Sequence, residues 1–532
     1  MIRTTTRSLP FTTLVLAFAA GACEGDQGPP GPPGGFDPDA PALDKAFAAT
    51  GGKANLLALS SYTLATSGER LMTGEGFTPD DGAHPVGTFT AQISTDVTAD
   101  KLRIDYARQN SIFGAMPSYK VILDGDVGVV HGTESVFGFP GGDLPSERWA
   151  AERRQQYLTN PQLLLREVAA GDRTATEAGI AIRDGELRQR IELSDPTAPI
   201  ELYIEPYSGE ITELTTLEND HPTGDVEVAA HYLGWRTWDA AATAVAFPSD
   251  IAITVNDQPF HVERREAVAT NVALDPSTFA FPAGAMPAHD DAGAARGARN
   301  SQFLEMFAAL GVPLDALQTT IDAQQLAPGV FHLRGGTHHS LVIEQQAGVV
   351  VVEAPLYEAR ALAVLDWIAT NIPGKPVTHV IATHHHRDHT GALRTFVARG
   401  AKIVVGDASK AFFSRAFRAS RTIEPDELSA HPAPATILGV PAGGTLTLPD
   451  AAHPVQVVAV ETTHAADMVI AYVPSAKTVF VSDIYSPGFP PNPFGAREVL
   501  GAIQSRGLAV DTLAGGHGGV GPRSDLDAIA GM

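Results

Sequence analysis

Four histidines and an aspartate fall within six consecutive positions, His384 to His389, of the stretch "ATHHHRDHTG". Crowded imidazoles repel one another when protonated, so such a run is costly unless a shared partner keeps the rings neutral. Neutral imidazole and carboxylate are common donors for zinc and related transition metals. Residues two apart in an extended segment point the same way. His384 and His386 can therefore share one ion, while Asp388 and His389 turn towards a second.

Further donors arrive downstream. "VVAVETTHAADMVIAYVP" places His464 between two apolar runs, "KTVFVSDIY" ends a strand-like run at Asp483, and "GLAVDTLAGGHGG" ends another at His517. Upstream, "GVVVVEAP" carries Glu353 just past its run of valines. In "GGTHHS", His338 and His339 occupy a loop that can edge the site, and His339 is expected to support it. His385 and Arg387 alternate with the donors and should point away from them. Tyr485, Phe489 and Phe494 could form an apolar lip over the pocket or merely pack their loop. Two cations about 3.5–4 Å apart would lower the pKa of a shared water to roughly 7 and polarise a carbonyl or phosphoryl oxygen. Asp388 is then the expected catalytic residue, orienting that water or receiving its proton. The only cysteine, Cys23, is remote from this cluster.

The elements that must hold these residues can be read around them. From "PGVFHLRGG" onward, continuous apolar runs alternate with helical stretches: "HSLVIE", "GVVVVEAP", then "LYEARALAVLDWIATNI", "VTHVIAT", "GALRTFVARG" and "AKIVVGD". Buried strands alternating with helices indicate a layered α/β domain, with its site just past strand carboxyl ends. His384 begins at such an end. Residues 40–282 read differently. "KLRIDYA", "ELRQRIEL" and "DIAITVNDQPFHVERRE" alternate apolar and polar residues, and "YKVILDGDVGVVHG" reads as a hairpin. One helix is expected over 146–170. This is an antiparallel β-rich domain with a helix or two on one face. "PAGAMPAHDDAGAARGARNSQ" lacks apolar periodicity, so residues 283–302 are expected to be a linker, with the second domain over 303–532.

The chain has 532 residues, 44% of them hydrophobic, and a formal net charge of −24. It can bury a core, and it offers no basic stripe for a phosphate backbone, so no nucleic-acid partner is expected. Arg3 and Arg7 precede "LPFTTLVLAFAAGA", too short to span a bilayer but suited to a signal peptide over residues 1–22. "AAGAC" ends at Cys23 and is similar to a bacterial lipoprotein signal, which would make Cys23 the lipidated residue. Residues 23–39, with "GDQGPPGPPGG", read as a stiff tether. The expected location is outside the cytoplasm: an outer-membrane or cell-surface lipoprotein, facing the periplasm or the exterior.

The string "THHHRDHTG", followed in order by His464, Asp483 and His517, resembles the metallo-β-lactamase superfamily over residues 328–525. The resemblance implies an αββα sandwich, giving an α+β chain overall. It assigns His384, His386 and His464 to a first metal, and Asp388, His389 and His517 to a second. Asp483 takes the bridging position. Two zinc ions are the implied cofactor, with iron or manganese as alternatives. Many lactamases of the superfamily have cysteine at the Asp483 position and lysine three residues on, where this chain has Ser486. Members that cleave thioesters and phosphodiesters use the aspartate but commonly have Gly-His where this chain has "TTHAADM". A closer resemblance is to uncharacterised bacterial members with "GGTHHS", "VEAP" and a proline-rich loop like "SPGFPPNPF".

The expected function is a lipid-anchored dinuclear hydrolase acting on a small-molecule ester, thioester, lactone or phosphodiester. Three alternatives stay open: β-lactamase activity, a mononuclear iron persulfide dioxygenase, and a lipid- or acyl-binding module with a passenger metal domain. The last follows from the N-terminal half, which weakly resembles the half-barrel of periplasmic lipoprotein carriers.

Overall fold

Alternating residues of the strand Val349–Val352 face opposite ways, and both faces are buried. Val350 and Val352 pack with Leu341, Ile381 and Val404 against Val457, Val469, Ala471 and Phe480 of a second sheet. Val349 and Val351 pack instead with Ala361, Val364 and Ile368 of the helix Glu358–Asn371 and with Phe396. A strand covered on both faces must be apolar throughout, which is why this segment reads as four consecutive valines.

The first sheet has seven strands, running in chain order from Asp322–Ala327 to Ile437–Val440. Its early pairings are antiparallel, and the pairings from Val349–Val352 through Val377–Ile381 and Lys402–Gly406 are parallel. The second sheet has six strands, from Thr445–Leu448 to Val520–Pro522. Its outer face packs on the helices Pro493–Ser505 and Arg523–Ala530 through Val458, Ile470, Val499, Ile503 and Leu526. Helix, sheet, sheet and helix make four layers, the αββα sandwich that the resemblance implied.

The N-terminal half is a single sheet of fourteen strands. Its order runs from Asp143–Leu144 at one edge, through Lys101–Asn110, His84–Asp96 and Ser61–Met72, to Gln258–Thr270. It continues through Gly224–Leu233 to Ala175–Arg183 at the other edge. Its hydrogen-bonded neighbours are antiparallel except for the short Ala240–Ala241 strand. Helical side chains including Ala151, Leu158, Leu164, Phe303 and Phe307 pack with the sheet residues Ile104, Val121 and Leu202 in one core.

Three expectations about helices need correction. The stretch expected as one helix over 146–170 is two, Ser146–Thr159 and Gln162–Ala170. Pro161 prevents continuation by pushing Asn160 out of the helical region, to φ −132° and ψ 67°. The expected linker, residues 283–302, contains the helix Asp291–Arg299, started by Asp290, whose carboxylate accepts from the backbone N–H of Ala292 and Gly293. Its small residues serve close packing: a Cβ at Gly297 would come within 2.1 Å of the Glu147 carbonyl oxygen. The next helix, Ser301–Leu310, was expected to open the second domain but packs into the N-terminal core.

This architecture comes from a computed structural model that describes residues 40–138, 140–238, 240–314 and 319–532; those from 40 onward form one compact unit. The expected signal peptide and tether lie outside the described residues. No described helix is long and apolar enough to cross a membrane.

Candidate metal centre

The strand Val377–Ile381 ends three residues before His384. The chain bends through residues 383–385, passes His386 at φ −55° and ψ 142°, and then closes into the single helical turn Arg387–Thr390. His384 and His386 come together with ring centroids 4.4 Å apart, and the turn carries Asp388 and His389 to the other group. His464 stands in the loop before Val469–Val473, held by Glu498, which accepts from the Thr462 hydroxyl at 2.7 Å and the Thr463 N–H at 2.8 Å. Asp483 follows Thr478–Phe480, and His517 follows Thr512–Ala514 in a glycine-rich turn. There Gly518 has φ +72° and a Cβ would meet the Pro487 carbonyl oxygen at 2.4 Å, so only glycine fits without strain.

The structure brings all seven predicted donors together, in two groups. His384, His386, His464 and Asp483 form one, and Asp388, His389 and His517 are joined by His338 in the other. His464 Nε2 lies 3.2 Å from His384 Nε2. Asp483 stands between the groups: its Oδ2 is 3.4 Å from His464 Nε2 and 3.8 Å from His384 Nε2. Its Oδ1 is 2.9 Å from His389 Nε2 and 3.2 Å from His517 Nε2. In the second group Asp388 Oδ2 is 3.0 Å from His338 Nε2 and 3.3 Å from His389 Nε2. Donors each bonded at about 2 Å to one ion stand roughly 3–3.5 Å apart, so both groups suit an ion of zinc's kind.

A surrounding layer fixes these side chains. Glu353 accepts from His389 Nδ1 at 2.9 Å and from the Thr383 hydroxyl at 2.6 Å, and Ser482 bonds the same carboxylate. It holds φ +64°, a conformation that a non-glycine residue keeps only under constraint. The carboxylate–imidazole pairing orients His389 with Nε2 towards the site. His517 is oriented likewise, with Nδ1 on the Thr337 carbonyl oxygen at 2.7 Å. His385 and Arg387 point away, His385 to Asp467 at 2.8 Å and Arg387 to Asp220 at 2.6 Å.

The electrostatics favour neutral imidazoles in the first group. Burial, reinforced by neighbouring rings, holds His384 well below its ordinary pKa and His386 down to about 3. Burial and the adjacent His517 take His338 down to about 3. Burial would raise Asp388 and Asp483, but the nearby histidines hold both well below the usual carboxylate range. Burial would depress His389, yet Asp388, Asp483 and Glu353 outweigh it and push it well above 6.5. Positive charge is required at that point, from a proton or from a metal ion.

Sequence reasoning placed some residues less well. His339, expected to edge the site, buttresses the glycine turn instead, with Nε2 on the Gly518 carbonyl oxygen at 2.7 Å. His338, its neighbour, faces Asp388. Tyr485 is buried in the outer core, and Phe494 is largely exposed. Phe489 does reach the mouth, stacked near His517 at 6.4 Å between ring centroids. It lines a cavity of about 550 Å³ with Phe137, Leu144, Pro313, Thr337 and His339. Glu75 was missed altogether; it stands on residues 73–83, between two N-terminal strands, and groups with His386 and Asp388. Nothing in its local sequence marks it.

Residues 333–517 match the family model described as the metallo-beta-lactamase superfamily. Similar solved structures include a metallo-beta-lactamase from Pontibacter korlensis, at 17% identity over 40% of this chain and 98% of that one, with a TM-score of 0.31. DIM-1 metallo-beta-lactamase is 16% identical over 40% of this chain and 95% of its own, with a TM-score of 0.32. FIM-1 from Pseudomonas aeruginosa, in its mono-zinc form, is 15% identical over 40% and 93%, also at 0.32. No curated protein matches the chain.

Proposed function

We propose that the C-terminal domain, a member of the metallo-β-lactamase superfamily, is a metal-dependent hydrolase that works with two ions. The observation that carries this reading is Asp483, which offers Oδ2 to one donor group and Oδ1 to the other. When bound, two such ions supply Lewis acidity and lower the pKa of water enough to give a nucleophile near neutral pH. Imidazole and carboxylate donors suit zinc, and iron or manganese can use the same set.

The chain's own residues position and exchange the proton. His338 holds Asp388 Oδ2, which leaves Oδ1, without a hydrogen-bond partner among the described residues, to receive a proton. The cavity beside His339 and Phe489 supports an apolar acyl group. Among the described residues no lysine or arginine lines it, and the carboxylate of Asp143 does, which disfavours an anionic phosphodiester. An ester, thioester or lactone with an apolar portion fits best.

Metal analysis of purified protein beside a substrate panel tests this. Close to two ions per chain, chiefly zinc, and faster turnover of esters, thioesters or lactones than of phosphodiesters or β-lactams is the expected result. A single tightly held iron would overturn it in favour of a persulfide dioxygenase. We also propose export and anchoring through a lipidated Cys23, on the strength of the apolar leader and "AAGAC". A Cys23→Ser chain should then leave the membrane fraction, and its pelleting after signal cleavage would refute the anchor.

A further inference from the structure

The loop of residues 73–83 leaves the N-terminal sheet between the strands Ser61–Met72 and His84–Asp96 and reaches the metal centre. Several contacts pin it there. The Gly76 carbonyl oxygen accepts from His386 Nε2 at 3.0 Å. The Phe77 carbonyl oxygen accepts from the Ala466 N–H at 2.8 Å, two residues beyond His464. Thr73 receives the Arg387 guanidinium. The loop thus touches both the segment that carries His386 and the one that carries His464.

We infer that Glu75 is a further metal ligand, delivered by the N-terminal domain, so that both halves of the chain complete the centre. This rests on the dinuclear reading above. Because His386 donates through Nε2 to Gly76, its Nδ1 carries a bare lone pair, and that lone pair faces Glu75 Oε2 at 3.4 Å. Two acceptors that face each other in this way need a proton or a cation between them. The other oxygen, Oε1, is occupied by the Arg387 N–H at 3.1 Å and is 3.3 Å from its Nε. Arg387 does not need Glu75 for charge balance, since Asp220 already pairs with it at 2.6 Å. A carboxylate oxygen of Glu75, a ring nitrogen of His386 and a carboxylate oxygen of Asp388 all lie within 4.8 Å of one another. Two carboxylates so close, both largely buried, are relieved by a proton on one of them or by a cation between them, and the bare Nδ1 beside them suits the cation.

The chemistry of the site shifts accordingly. Glu75 meets the centre at His386 of one group and at Asp388 of the other, so it adds an oxygen donor where the two groups approach each other. Added oxygen donors raise the coordination number beyond zinc's usual four and widen the tolerance for iron or manganese.

The test uses the full chain with Glu75→Ala and Glu75→Gln, loaded with zinc and titrated with a chelator while bound metal is counted. Wild type should keep two ions, and each variant should lose one of them at a chelator concentration at least 10-fold lower. The melting temperature of the metal-free variants should stay at or above the wild-type value, because a buried like-charge contact has been removed. The rise in melting temperature that zinc gives should shrink. Variants that hold both ions as tightly as wild type overturn the inference while leaving the dinuclear reading intact. A wild-type chain that binds no pair of ions overturns that reading first.

Discussion

In the N-terminal half, Arg70 meets Glu305, Arg148 meets Glu134 and Arg154 meets Glu218, each pair nearly or wholly buried and spread along the interface of helices and sheet. In the C-terminal sandwich, the buried carboxylates Asp388, Asp483 and Glu353 gather at one end of the sheets among imidazoles. Both halves bury charge, but these N-terminal groups are buried as opposite-signed pairs that balance each other. The second sets carboxylates near one another among imidazoles, a balance that an added cation or proton completes. The pattern of buried charge, rather than its amount, marks where a ligand belongs.

The sharpest test separates the two kinds of charge. Asp388→Asn should lower kcat by about 100-fold or more while leaving the melting temperature near that of wild type. Unaltered activity in a substrate assay would mean that the reaction takes place elsewhere, and the contrast would fail.

Glu305→Ala should do the reverse. It leaves Arg70 charged and unpaired in the core, which costs about 3–5 kcal/mol in denaturant unfolding, while activity per folded chain is retained. Replacing both partners, as Arg70→Met with Glu305→Leu, should restore most of that stability, since apolar groups of similar volume substitute for buried pairs at little net cost. A single substitution costing under about 1 kcal/mol would show that the pair is solvated in practice.

The smallest expected effect is one of pH. Burial, then the nearby Arg70, holds His261 down to about 4, partly opposed by Glu263. The folded state refuses a proton that the unfolded chain accepts near 6.5. The stability of the neutral form is therefore fully present above about pH 6.5 and is lost as pH falls towards 4. Measured as the difference between wild type and His261→Phe, this should amount to roughly 3 kcal/mol across the window. The difference isolates His261 from Glu152, whose burial and neighbour Glu305 raise it to about 8 and which acts with the opposite sign. A flat difference would mean that His261 is hydrated.

How far the sequence could be read depended on the range of the interaction concerned. The strand-then-donor spacing at His384, Asp483 and His517 was legible because each motif is local: an apolar run sets the strand, and the donor sits just past its end. The choice between His338 and His339 was not, since adjacent residues on a loop differ only in which way the backbone turns. The segment 283–302 read as a linker because its glycines and alanines lack periodicity. In the fold those small residues let one helix approach another closely, a use that composition alone cannot distinguish from slack chain.

The sequence by itself determined a layered α/β domain, through apolar strands covered on both faces, with the four-layer arrangement implied by the resemblance its donor string carries, and it determined which side chains are chemically able to hold ions. Only the tertiary structure decided that His338 joins Asp388 and that Glu75 approaches His386 from more than three hundred residues away along the chain, as its neighbour Gly76 does at a separation of 310. A donor set of that kind is fixed by how two separate cores pack against each other, and no local spacing encodes that packing.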